Sequence, residues 1–193
     1  PPLPFSPLTT DRTILLAMAA VVSPDDPFAD VWAGNAAYAE GFALGDLSGH
    51  AARGLTVVTC MDSRIDPLAV LGLAPGDAKI IRSAGARITE NALRSLILAV
   101  RLLGGTRVLL MPHTDCGLVG TDDDVREKLA AATGRPVDDA AIARYRPRAI
   151  AEPTAAVHDD VATIRAEPLL GPDLVVAAAV YDVATGSLRR VPV

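Results

Sequence analysis

Rings and thiols are scarce in this chain of 193 residues. Only 4% of the residues are aromatic, with one Trp, three Tyr and three Phe, although half are hydrophobic. An interior so poor in rings must be packed from Val, Leu, Ile and Ala, which is the composition of a parallel sheet covered by helices. Cysteine is limited to Cys60 and Cys116, which removes the chain from the small domains stapled by disulfides. Basic charge is also short, 18 Lys and Arg against 23 Asp and Glu, for a net charge of -5 and a pI near 5.1. Nucleic-acid binding, which leaves a basic stripe or a high pI, is therefore not expected. The nearest approach to a basic patch is Arg144, Arg146 and Arg148, interrupted by Tyr145 and Pro147, and it reads as a solvated loop or an interface edge. No apolar run reaches the roughly 18 to 20 residues that cross a bilayer, so no membrane partner is expected either.

A chain of this length suits one domain with a full core. Residues 1–26 are proline-rich and aperiodic and read as an N-terminal arm, leaving 27–193 as a single domain. Within the arm, Ile14 to Val22 is apolar and follows Arg12, as in a secretory signal. Asp11 beside that arginine and the prolines before it argue against export, so a cytoplasmic protein is expected. The first residue is Pro1, and Met18 is a candidate start that would leave residues 1–17 outside the native chain.

Periodicity orders the remainder. Asp30 to Leu44 reads as a helix with an uneven apolar face of Val31, Ala36, Ala37, Tyr38 and Phe42, ended by Gly45 and Asp46. Leu55 to Cys60, Lys79 to Arg82, Arg107 to Met111 and Leu174 to Tyr181 read as strands, and Leu188 to Val193 returns after Thr185-Gly186 as an antiparallel edge. Pro67 to Leu71 is a helical turn. Thr89 caps a helix to Leu103 with Leu93, Leu96, Ile97, Val100 and Leu103 on one face. Another helix starts at Thr121 and Asp122-Asp123-Asp124, where negative charge suits the helix dipole, and runs to Ala132. A last one covers Pro153 to Ala166, with His158, Asp159 and Asp160 on an exposed face. No motif is found over 134–152. The fold class is α/β: a central, mostly parallel sheet of four strands plus an antiparallel edge strand, flanked by helices.

Both cysteines end or follow apolar runs, Cys60 in Cys60-Met61-Asp62-Ser63-Arg64 and Cys116 in His113-Thr114-Asp115-Cys116. A disulfide and a metal site are both open to them, and their separate placement after two strands favours the metal. Two thiolates and an imidazole are three ligands for a tetrahedral Zn²⁺, with a fourth position left for water. The carboxyl ends of neighbouring parallel strands are where such a site would gather. Asp62 and Arg64, two positions apart in a loop, can pair through two parallel hydrogen bonds, although alone they would be an ordinary loop salt bridge.

Cys-x-Asp-Ser-Arg followed by His-Thr-x-Cys-Gly resembles the β-class carbonic anhydrases, and the likeness runs from about Gly54 through Gly117. The resemblance implies that Cys60, His113 and Cys116 hold one zinc ion per chain and that Asp62 and Arg64 form a catalytic dyad. Arg82-Ser83-Ala84-Gly85 resembles the family's Arg-Asn-Ala-Gly loop, whose glycine lies at the substrate pocket, which implies that Gly85 contacts substrate. Two positions depart from the pattern: Ser83 replaces the usual Asn, and Pro112 stands where Gly commonly precedes the histidine, holding Met111 extended. The implied reaction is the reversible hydration of CO₂ to bicarbonate and a proton by a zinc-bound hydroxide. Two thiolate ligands make the water less acidic than in a three-histidine site, where its pKa is about 7. Asp62 would accept a hydrogen bond from that water while Arg64 holds it, and a released Asp62 could itself become the fourth ligand. Alternatives are hydrolysis of CS₂ or COS on the same fold, and a non-catalytic zinc or bicarbonate-binding protein closed by Asp62. The resemblance further implies a homodimer or higher homo-oligomer, in keeping with a mean hydropathy of +0.32. His50 and His158 read as surface residues, so no proton shuttle is assigned.

Overall fold

Leu55–Cys60 (β1) is apolar and β-branched, and it is almost wholly buried along its length, as suits a strand with neighbours on both sides. In the computed structural model, which describes residues 26–193, it pairs in parallel with Ala78–Ser83 (β2) on one side and Arg107–Met111 (β3) on the other. Val175–Tyr181 (β4) adds to β3 in parallel, and Leu188–Val191 (β5) closes the far edge antiparallel to β4. The order β2-β1-β3-β4-β5 is the expected sheet of four parallel strands with one antiparallel edge. The expected arm over 1–26, save Asp26, lies outside the described residues, as do Ile14 to Val22 and Met18.

Two units divide at Leu47 and Ser48. In the first, Ala29–Glu40 forms helix α1. Asp26 fixes its start, its carboxylate accepting from the Phe28 amide at 2.8 Å and from the Trp32 indole at 3.0 Å. The helix stops at Gly41, short of the expected Leu44, where the glycine amide folds back on the Ala39 carbonyl; glycine is a costly residue to continue a helix through. None of its residues is buried.

In the second unit the strands alternate. Val58, Val108, Leu110 and Ala178 face one side, where Leu96 of helix α3 (Glu90–Arg101) and Val157, Val161 and Ile164 of helix α6 (Pro153–Ala166) complete a buried cluster. Val57, Met111 and Tyr181 face the other, joined by Ile65 and by Val70 and Leu71 at the end of the short α2 (Pro67–Val70). Burying one such aliphatic side chain stabilises the fold by about 1.5–3 kcal/mol, so each face is held by several residues at once. Thr89 caps α3 as expected, accepting from the Ala92 amide. Helix α4 (Asp122–Thr133) opens on a capping box between Thr121 and Asp124. A further short helix, α5 (Ala140–Arg144), lies in the segment where no motif was found. Among the described residues no helix is long and apolar enough to cross a membrane.

Candidate active site

β1 and β3 are neighbours, but the chain leaves β1 for β2 on one side and returns to β3 on the other. Their carboxyl ends therefore flank a topological switch point, the crevice where open parallel sheets collect ligands. Register does the rest: Thr59 lies opposite Met111, so Cys60 and His113 emerge from adjacent strands within two positions of each other. The turn after His113 takes Asp115 into the left-handed region (φ 54), a conformation that aspartate tolerates better than most side chains. It brings Cys116 back, and the ligand atoms of Cys60, His113 and Cys116, all three buried, lie within 4.8 Å of one another. Both cysteines are free thiols.

The imidazole is set for a cation. His113 Nδ1 lies 2.7 Å from the Thr114 carbonyl, which can only accept, so Nδ1 carries the proton and Nε2 carries the lone pair. Nε2 is buried and, among the described residues, has no hydrogen-bond partner, an uncommon state for a buried polar atom and one that binding a metal ion satisfies. The thiols supply the complementary charge. Cys60 is lowered to about 4 by the hydrogen bond from Cys116, with help from the Asp62 and Gly85 amides and against the cost of burial. Cys116 is pushed well up, first by the neighbouring Cys60 and then by burial. A dication held between the two sulfurs would stabilise both as thiolates. The S₂N donor set fits zinc.

Asp62 lies beside this trio, its Oδ2 3.8 Å from His113 Nε2. Arg64 grips it twice, Nε to Oδ1 at 2.9 Å and Nη2 to Oδ2 at 2.8 Å, and the Arg64 amide adds a third bond to Oδ1 at 2.9 Å. These bonds hold the Asp62 carboxyl far below the usual carboxylate range, so at neutral pH it accepts hydrogen bonds and donates none. Arg64 also reaches Asp115, Nη1 to Oδ2 at 2.8 Å and Nη2 to the carbonyl at 3.0 Å. Arg82 straps the same loop from below, donating to the carbonyls of Cys60 and Asp62.

Gly85 stands against the trio. Its amide donates to Cys60 Sγ at 3.3 Å, and its φ of +65 suits glycine; an added Cβ would meet Leu118 Cδ2 at 2.8 Å and Ile150 Cδ1 at 3.0 Å. The departures from the family pattern are accommodated locally. Ser83 Oγ donates to the Arg87 carbonyl, and Pro112 accepts from the Tyr181 amide at 2.8 Å. A cavity of about 40 Å³ opens beside His113, walled by Gly85, Pro112, Ile150 and Ala156 and ended by Arg87 and Asp160.

Those last two residues correct the sequence reading. Asp160, expected on an exposed face, is 2% exposed and pairs with Arg87, Nε to Oδ2 at 2.7 Å. It also accepts from the Ile88 amide, while Arg87 donates to the carbonyls of Arg148 and Ala149. The α6 turn carries Asp160 inward with Val157, Val161 and Ile164 because it sits in their apolar stripe, whereas His158 and Asp159 face solvent as expected. Spacing showed no link between Arg87 and Asp160, nor any role for Asp115. His50 is exposed and bonded to Ser48, and neither His50 nor His158 joins the trio.

Residues 55–188 match the family model described as carbonic anhydrase. Over 164 residues the chain is 35% identical to beta-carbonic anhydrase 1 of Mycobacterium tuberculosis, covering 84% of this chain and 96% of that one. It is 31% identical over 157 residues to carbon disulfide hydrolase of Saccharolobus solfataricus, covering 72% and 77% of the two chains. The crystal structure of carbonic anhydrase from Streptococcus mutans superposes with a TM-score of 0.75 at 32% identity, over 89% of this chain and 99% of that one.

Proposed function

This chain belongs to the β-class carbonic anhydrase family, and on that premise we propose that it catalyses the reversible hydration of CO₂ to bicarbonate and a proton with one zinc ion per chain. The observation that carries the reading is the buried Nε2 of His113, which has no hydrogen-bond partner among the described residues and lies beside two thiols and 3.8 Å from the carboxylate of Asp62. Cys60, His113 and Cys116 would hold the metal, which supplies a Lewis acid that acidifies water. The protein does the remainder. Asp62, kept ionised by Arg64, accepts a hydrogen bond from the attacking water and orients it. The Gly85 amide steadies the Cys60 sulfur. Gly85, Pro112, Ile150 and Ala156 wall the small cavity beside His113, a lining suited to a small uncharged substrate such as CO₂. Asp62, if released by Arg64, would compete with water for the metal, so the arrangement in which Arg64 holds Asp62 would be the active one.

Stopped-flow CO₂ hydration by the zinc-loaded protein tests the reading. Asp62→Asn and Arg64→Ala should each lower turnover by about 10- to 100-fold, the worth of one charge-assisted hydrogen bond; wild-type turnover in both would remove the dyad. A second reading, hydrolysis of CS₂ or COS at the same site, is supported by the likeness to carbon disulfide hydrolases, and parallel turnover of CO₂ and CS₂ separates the two. A zinc-loaded protein inert toward both would leave the closed, non-catalytic form. In this proposal residues 27–193 act as the catalytic domain of a cytoplasmic homodimer or higher homo-oligomer, the reducing compartment keeping both thiols available to metal. A monomer by light scattering at every concentration would overturn the assembly.

A further inference from the structure

We propose that Asp115 is a positioning residue that sets how readily Asp62 leaves Arg64, by offering the guanidinium a second carboxylate. The inference rests on the reading that Asp62 can move toward the metal, and it concerns a residue given no role by that reading. Arg64 lies between two carboxylates from motifs 51 positions apart, with Nε and Nη2 on Asp62 and Nη1 on Asp115 at 2.8 Å. The left-handed backbone at Asp115 lets its carbonyl reach the same guanidinium, Nη2 to O at 3.0 Å. Among the described residues Arg64 is the only side chain hydrogen-bonded to Asp115. The carboxylate is 80% exposed, yet it is held on Arg64 by the same turn that returns Cys116 to the trio.

The sign of the effect follows from redundancy. While Asp62 is on Arg64, the guanidinium has two anions and the loss of Asp115 matters little. Once Asp62 has gone, Asp115 is the only carboxylate left on Arg64, and its loss strands the cation. Removing the charge at 115 therefore costs more in the closed arrangement than in the open one, and holds Asp62 on Arg64. A residue that only anchored Arg64 would act oppositely: its loss would loosen the guanidinium and free Asp62 for the metal.

Cobalt(II) substituted for zinc gives a visible spectrum that distinguishes a carboxylate from water as the fourth ligand, with Asp62→Asn as the reference that lacks the carboxylate. In Asp115→Asn, which keeps the shape and removes the charge, the carboxylate-bound fraction should fall about two- to fivefold, the range for an exposed pair. Because Asp115 is exposed, raising ionic strength should move the wild type toward the variant. Asp115→Gly, whose backbone accepts the left-handed turn, should shift the same way. A carboxylate-bound fraction that rises, or one that stays the same in both variants, overturns the proposal. A wild-type spectrum that never departs from Asp62→Asn removes the closing motion and the proposal together, while the hydration assay still stands as the separate test of the reaction.

Discussion

Two arginine–aspartate pairs flank the site, and they differ in almost everything but chemistry. Arg64 and Asp62 are two residues apart, with the arginine side chain 44% exposed; Arg87 and Asp160 are 73 apart, with side chains 10% and 3% exposed. The first pair closes a local loop and leaves its carboxylate beside the trio of Cys60, His113 and Cys116. The second ties the end of the β2 loop to helix α6 and, through the Arg148 and Ala149 carbonyls, pins the segment that carries Ile150. A water-accessible pair can exchange partners at low cost and suits a gate; a buried one cannot lose a member without stranding a charge, and suits a wall.

The sharpest test of that difference removes a buried partner. Asp160→Ala should lower unfolding stability by about 3–5 kcal/mol in urea titrations, because Arg87 would be left charged and enclosed. Replacing both members, Arg87→Met with Asp160→Leu, should recover only part of this. The buried Ile88 amide would lose its partner, at a cost of about 1–3 kcal/mol, and the half-buried Arg148 and Ala149 carbonyls would lose theirs. Full recovery would make the pair an ordinary filler of the core and erase the contrast with Arg64.

Which pair could be read from the sequence depends on distance and pattern. Arg64 and Asp62 share one loop, and the strands around them are continuous apolar runs, so the sheet and the meeting of Cys60 with His113 and Cys116 were legible. Asp160 was legible in part: Ala156, Val157, Val161 and Ile164 define a helical stripe, and position 160 falls inside it. Its charged neighbours His158 and Asp159 pointed to the surface, and only tertiary partners, Arg87 first, with the Ile88 amide and Arg148, make an acid tolerable there. Helix α5 has five residues, too few to show a period. Asp115 gave no signal because its role lies in a turn and a contact, neither of which has a spacing.

The segment around Ile150 is held from a second side. The Ala149 amide donates to Asp122 at 2.8 Å, in the first turn of α4, whose start depends on Thr121. Thr121→Ala should cost about 1 kcal/mol, the usual worth of an N-cap, a smaller loss than at Asp160. An equal loss would mean that the cap, not the ion pair, fixes the wall. Arg64→Ala should move the unfolding midpoint least of the three while lowering turnover strongly, the reverse of the order expected at Asp160. A large loss of stability at Arg64 would collapse the distinction between gate and wall.

The smallest effect is on the acid side. Besides Asp62, held down first by the Arg64 side chain, Asp124, Asp139 and Glu152 are each held below the ordinary carboxylate range, first by backbone amides at helix starts: Thr121 for Asp124, Ala141 for Asp139 and Ala155 for Glu152. Their folded values lie below their unfolded ones, so in the acid range the unfolded chain binds more protons than the native one. The stabilisation is therefore fully present above about pH 4, the unfolded carboxylate range, and is lost as pH falls through the folded values. Unfolding midpoints taken from pH 6 down to pH 3 should decline accordingly. Thr121→Ala should keep most of that slope, because the first cause at Asp124 is the Thr121 amide, which the substitution leaves in place, and the hydroxyl comes second. A slope abolished by Thr121→Ala would assign the acid response to one hydroxyl and not to the backbone amides of three helix starts.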